Sequence, residues 1–214
     1  MHFLKKTKEK FNGEQVIFHA SQKEGLDAIT PNKCKHSSAY VYASLNLPLC
    51  VIFSVKRTSE NIAFGVGKLG KPFIQEFYEG AFEDRFKNQK TFIYKLPLKE
   101  FKQETEFLEM VCSKPVKVLD CLTISDCASY LLELEKKRQV KIYRYNKMSK
   151  SQKQEVHNKL IKALKKYTSF TPLSSEEFSN LSDFDKHKYL TTKERYDNCC
   201  KQFPEFMSQL KNNP

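Results

Sequence analysis

The chain has 214 residues, 40% hydrophobic and 29% charged, with 17 Phe and 10 Tyr against only 6 Gly and 8 Pro. That composition supports one domain, or a domain with a smaller appendage, and excludes disordered, collagen-like and low-complexity classes. A formal net charge of +12 attracts polyanions: nucleic acid, acidic protein or a phosphate-bearing small molecule.

The excess charge is uneven. Residues 1–100 hold 16 Lys/Arg against 10 Asp/Glu, whereas residues 123–170 hold 12 against 4. A solvated Lys-rich helix surface explains that stretch as readily as a nucleic-acid face does, and no RNA-binding or zinc-finger signature accompanies it. The longest nearly uncharged apolar run, 45–55, is too short to span a bilayer. Lys5, Lys6, Lys8 and Lys10 precede no apolar stretch of signal-peptide length, so a soluble cytoplasmic chain without a membrane partner is expected. Cys34, Cys50, Cys112, Cys121, Cys127, Cys199 and Cys200 show no Cys-x-x-Cys and no Cys/His pairing at zinc-finger spacing. They read as free thiols in a reducing compartment, and no metal site is expected.

In chain order, Gln15–His19 is a β-rich run after the turn dipeptide Asn12-Gly13. The stretch from Lys23 to Pro31 reads as a short helical turn. Ser38–Ser44 alternates, which places Tyr40, Tyr42 and Ser44 on one face of a strand. Further strands are expected at Cys50–Val55, Phe73–Tyr78, Thr91–Leu96 and Val116–Leu119, with Gly65, Gly67 and Gly70 in a loop before Phe73. After residue 122 the texture turns helical. Thr123 opens a segment with a capping-box-like start, and Val140–Tyr145 is a possible strand. Val156, Leu160, Ile161, Leu164 and Tyr167 share one helical face between Ser149 and Tyr167. Ser174 begins another helical piece, and a longer helix from Asp183 is interrupted at Pro204. The fold class is therefore α+β: a mixed or antiparallel β-rich body over 1–122, then a basic, mainly helical extension over 123–214.

No P-loop, Gly-x-Ser-x-Gly elbow or kinase motif set is present. Gly65-Val-Gly67-Lys-Leu-Gly70 matches a dinucleotide-binding spacing only superficially, because no convincing helix follows it. What remains is a spaced constellation. One strand ends in Phe18-His19-Ala20-Ser21; after the Gly25…Pro31 connection a second carries Tyr40-Val-Tyr42-Ala-Ser44. Later, Phe73-Ile-Gln-Glu-Phe-Tyr-Glu-Gly80 leads to the run from Phe82 to Tyr94. His36-Ser37-Ser38, just before the Tyr strand, is either a polar turn or part of the same cleft.

This order resembles the ADP-ribosyltransferase fold of the His-Tyr-Glu type, shared by poly-ADP-ribose polymerases and rifampin ADP-ribosyltransferases, over roughly the first 100 residues. The resemblance implies a split β-sheet body and NAD as the substrate-cofactor. His19 would donate a hydrogen bond to an adenosine ribose hydroxyl, Ser21 would lie near the nicotinamide amide, and Tyr42 would stack on the nicotinamide ring. An acidic residue on a later strand would stabilise an oxocarbenium-like sugar. Two departures stand out: Ala20 replaces the usual Gly, and Gln89 rather than Glu precedes the Phe92–Tyr94 strand. Glu76 and Gln89 are the candidates for the catalytic position, with Glu79 and Glu83 nearby. The small size and Lys-rich composition suit a bacterial or phage-borne member. The implied activity is ADP-ribose transfer to a macromolecular or small-molecule acceptor that the sequence does not identify. The alternative is a non-catalytic nucleic-acid or protein binding module, with 136–166 as the nucleic-acid contact.

Overall fold

The computed structural model describes residues 9–33, 39–67, 70–103 and 109–212. Lys5, Lys6, Lys8, Cys34 and the His36-Ser37-Ser38 run lie outside the described residues. In chain order the strands are β1 (Lys10–Phe11), β2 (Glu14–Ser21), β3 (Ala28–Ile29), β4 (Asn32–Lys33), β5 (Ala39–Ser44), β6 (Ile62–Val66), β7 (Pro72–Glu76), β8 (Thr91–Pro97), β9 (Lys102–Gln103), β10 (Glu109–Cys112), β11 (Val116–Lys117), β12 (Asp120–Ile124) and β13 (Lys141–Tyr143). The α-helices are α1 (Leu47–Ser54), α2 (Ala81–Phe86), α3 (Cys127–Lys136), α4 (Lys150–Lys165), α5 (Ser175–Ser179), α6 (Asp183–Gln202) and α7 (Pro204–Asn212). The class is α+β, with helices gathered toward the C-terminal part. No helix among the described residues is long and apolar enough to cross a membrane.

An eight-stranded sheet runs β12-β8-β2-β5-β10-β9, with β1 paired to β2 and β4 to β5. Two smaller sheets have the orders β11-β3 and β13-β7-β6. The chain divides into two compact units, each assembled from separated segments. The first is Met1–Lys56, Phe64–Ile74 and Glu83–Ile142; the second is Arg57–Ala63, Gln75–Phe82 and Tyr143–Pro214.

In the first unit, Val16, Ile17 and Phe18 of β2 are all buried, so this central strand is covered on both faces. Ile17 packs in a cluster with Val41, Ala43, Phe92, Tyr94 and Leu96. The run Cys50–Val55, expected as a strand, is helical and belongs to α1, with Val55 as its C-cap. The Asn46 side chain caps the helix by accepting the Leu49 N–H at 3.2 Å, and Pro48 sits in the first turn, where a missing N–H breaks no helical bond. Pro48 to Ile52 are all buried, so the segment has no polar face and shows no helical period to read.

The Lys23–Pro31 connection is likewise not a helical turn; it contains β3. The Tyr94 hydroxyl donates to the Lys23 carbonyl at 2.6 Å and accepts the Leu26 N–H at 3.3 Å, while Asp27 accepts the Val118 N–H at 2.9 Å. These long-range partners satisfy backbone groups that a helical turn would have paired locally. Gly65 belongs to β6 rather than to a loop, and its missing side chain leaves room for the Phe73 ring, which a Cβ there would meet at 3.0 Å. Thr123 lies within β12, and the cap of α3 is Asp126, which accepts the Ser129 N–H at 2.9 Å.

In the second unit, α4 opens with a capping box between Ser149 and Gln152. Its Val156, Leu160 and Leu164, followed by Tyr167, are buried against Phe77, Cys199, Phe203 and Met207. Pro204 separates α6 from α7, as its sequence position predicts. A fully buried carboxylate, Glu60, ties these pieces together. It accepts from the Tyr167 hydroxyl at 2.8 Å, pairs with Lys166 at 2.6 Å and is held by Arg57. Beside it, Ser59 donates to Gln202 at 2.5 Å, and Arg195 donates to the Arg57 carbonyl at 2.8 Å. Burial raises the Glu60 pKa, but hydrogen bonding and charge from Lys166 and Arg57 outweigh it and hold the group below its ordinary value.

A folded-state pKa below the unfolded one contributes stability that is present above the unfolded pKa of 4.5 and disappears as pH falls through the folded value. Glu60→Ala is therefore expected to lower stability by about 1–3 kcal/mol at pH 7, since it leaves the buried Tyr167 hydroxyl without its acceptor, while the part-exposed Lys166 and Arg57 can turn to water. Urea unfolding checks this. In the same measurement, the loss of stability below pH 4.5 should be shallower in Glu60→Gln than in the wild type.

Candidate functional site

The site arises where two central strands part. Among the described residues, β2 and β5 are antiparallel partners at Phe18↔Ser44 alone. From that point β2 stays on β8, through His19↔Tyr94 and Ser21↔Phe92, while β5 stays on β10, through Tyr42↔Val111. His19 spans the gap with its side chain: Nδ1 lies 2.7 Å from the Tyr42 carbonyl oxygen. A carbonyl only accepts, so Nδ1 carries the hydrogen and Nε2 keeps its lone pair. Burial lowers the His19 pKa below its ordinary 6.5, and the bond to Tyr42 offsets only part of that shift. The ring is neutral at pH 7, with Nε2 an acceptor.

His19 and Tyr42 line one cavity of about 190 Å³, together with Phe18, Cys50, Phe53 and Glu109. Tyr42 meets Tyr40 edge-on, with ring centroids 6.2 Å apart. Phe53 is 51% exposed and meets Phe64 edge-on at 5.1 Å, so the wall offers a solvent-accessible aromatic surface. Glu109 stands directly opposite Ser44, as Val111 stands opposite Tyr42. With a side-chain period of two, Glu109 and Tyr42 share a face of the β5–β10 pair. The sequence reading assigned no element to 109–112. The available signal was the short Met110-Val-Cys112 run before Ser113-Lys-Pro115, which is too brief to distinguish from a loop.

The other sequence candidates lie elsewhere. Ser21 is half-buried and its hydroxyl accepts the Lys23 N–H at 3.1 Å, closing a local turn. Gln89 is exposed in the connection from α2 to β8, where its carbonyl accepts the Cys127 N–H at 2.9 Å. Glu76 is 2% exposed. Its Oε1 accepts from the Phe82 N–H at 3.0 Å and from Arg144 at 3.1 Å, and its Oε2 accepts from the Tyr145 N–H at 2.8 Å. Both carboxylate oxygens are therefore engaged in holding backbone, which is a structural assignment. Glu79 is exposed and accepts from Asn146 at 3.2 Å. None of these residues lines the cavity that His19 and Tyr42 share; the carboxylate that does is Glu109.

The cavity also contains a thiol. Cys50 donates to the Phe18 carbonyl at 3.3 Å, and burial, with the Glu109 charge adding to it, pushes its pKa up to about 12. It therefore packs and does not act as a nucleophile. The chemistry left to the cleft is a flat phenol face, a neutral imidazole acceptor and one carboxylate, a set suited to binding a planar cationic ring and stabilising positive charge on its neighbour.

No protein-family model, curated protein or solved structure matches this chain. The native protein at pH 7.5 is expected to leave Cys50 unmodified by iodoacetamide while exposed Cys121 is alkylated; peptide mapping by mass spectrometry checks the difference.

Proposed function

We propose that the chain is an NAD-binding, ADP-ribosyltransferase-like protein, and that its first unit breaks the nicotinamide–ribose bond and passes ADP-ribose to an acceptor. The observation that carries this reading is the convergence of His19, Tyr42 and Glu109 on one cleft at the parting of β2 and β5. Their order along the chain is the order the sequence resemblance requires, with Glu109 in the acidic role in place of Glu76 or Gln89.

In this reading the nicotinamide ring stacks on Tyr42, where the phenol face attracts the positive charge of the bound pyridinium. A volume of about 190 Å³ suits that end of the dinucleotide, with the remainder lying along the surface. A ribose hydroxyl donates to His19 Nε2, the reverse of the polarity expected from the sequence, because Nδ1 is already committed to Tyr42. The C1′–N bond then breaks, both electrons leave with nicotinamide, and positive charge develops on the sugar. The Glu109 carboxylate stabilises that charge and takes the proton as the acceptor's oxygen or nitrogen bonds to C1′.

Nicotinamide release from NAD, followed alongside NAD binding, tests the reading. The wild type is expected to bind and release, and Tyr42→Ala to lose both. Glu109→Gln should retain binding while release falls by about 10²–10³-fold, as for removal of one charge-stabilising group. Binding should hold constant above pH 6.5 and weaken below it, as protonation of His19 removes the acceptor. A wild type that neither binds NAD nor releases nicotinamide overturns the reading.

A further inference from the structure

The second unit contains a larger cavity, of about 460 Å³, whose chemistry differs from that of the first. Its walls are rings: Phe77, Tyr78, Tyr145, His157, Phe203 and Phe206. One aliphatic side chain, Leu160, and one amide, Gln202, join them, and no charged residue does. Flat walls of this kind suit a planar π-system rather than an acyl chain, which packs best against branched aliphatic groups.

The walls are held in place. Tyr78 accepts from Asn61 at 2.7 Å and from the Gln202 amide, whose oxygen is in turn taken by Ser59 at 2.5 Å. Phe203 meets Tyr78 edge-on at 5.8 Å. Against this set frame stands a ring with hydrogen-bonding capacity to spare. His157 is half-buried, lies 5.0 Å from Phe206 and makes no hydrogen bond among the described residues.

A cation stands over one of the lining rings. Lys153, His157 and Leu160 recur at helical spacing along one stripe of α4. Lys153 stands one turn before His157, and its Nζ lies 4.9 Å from the Tyr145 ring centroid. The acidic neighbour on the same helix, Glu155, is engaged by Lys159 at 2.8 Å. A stacking cavity with an unengaged imidazole inside and a lysine over one of its rings complements a heteroaromatic ring joined to an anion.

We infer that the cavity bounded by Tyr78, Tyr145, His157 and Phe206 binds a nucleotide, with the base between the aromatic walls, its edge hydrogen-bonded to His157, and the phosphate against Lys153. A free mononucleotide and the terminal nucleotide of a single strand present the same chemistry. This site shares no residue with the His19–Tyr42 cleft and does not rest on the NAD reading.

Calorimetric titration of the full chain with AMP, adenosine and a 5′-phosphorylated oligodeoxyadenylate tests it. AMP is expected to bind the wild type and Tyr42→Ala equally. Phe206→Leu should weaken AMP about tenfold or more through lost stacking. Lys153→Gln, a substitution beside the Tyr145 wall, should weaken AMP while leaving adenosine unchanged, and a melting curve on each variant confirms that it is folded. Oligonucleotide binding with the same variant sensitivities identifies the strand terminus as the source, and AMP binding alone identifies the free nucleotide; both support the site. AMP binding lost in Tyr42→Ala, or unchanged in both Lys153→Gln and Phe206→Leu, overturns it.

Discussion

The hydrogen bond from His19 to the Tyr42 carbonyl is where backbone pairing gives way to side-chain chemistry. Strands β2 and β5 meet at Phe18↔Ser44 and then follow different neighbours. A sheet that parts leaves polar backbone edges and a wedge of space, and both need an occupant. Here the imidazole supplies a donor to one strand while sitting on the other. The bond also sets the tautomer, so the same contact that closes the sheet aims an acceptor nitrogen at the cavity. With Glu109 opposite Ser44 on the next strand, three functional groups are positioned by ladder register rather than by loops, which favours geometric precision.

The two buried carboxylates of the second unit have a different task. Glu76 collects two backbone N–H groups and an arginine, while Glu60 collects a tyrosine hydroxyl, a lysine and an arginine. A buried charge is tolerated only when its oxygens are saturated in this way. Such groups draw attention in a sequence as possible catalysts. Their saturation marks them as fasteners, whereas the half-buried Glu109 lines an open cavity.

Much of the frame was legible in the sequence because its signals are local. The helical starts at Ser149 and Ser174, the apolar stripe Val156–Leu160–Leu164 and the break at Pro204 each depend on residues within a turn or two of one another. The α+β class followed from the change of texture near residue 122. The failures have the opposite character. Helix α1 is apolar on all sides, so periodicity is silent there, and only Asn46 and Pro48 announce it. The Lys23–Pro31 connection is shaped by the hydroxyl of Tyr94, roughly seventy positions away. His19 and Tyr42 could be singled out because their residue types and order are informative without geometry. Glu109 could not, because its place on their cavity is a matter of register, which no spacing along the chain reveals.

The scattered make-up of the second unit has a consequence for how the protein is born. Glu60 precedes Tyr167 by 107 positions, and Ser59 precedes Gln202 by 143. At a synthesis rate of about 5–20 residues per second, Glu60 waits roughly 5–20 s for its hydroxyl partner. The last segment of the first unit ends at Ile142, so all of that unit has been translated while the second still lacks α4 and α6. Until then the one partner of Glu60 is Arg57, three positions earlier on the same segment. The full set of bonds that makes burial of this acid tolerable can form only once Lys166 and Tyr167 have been translated.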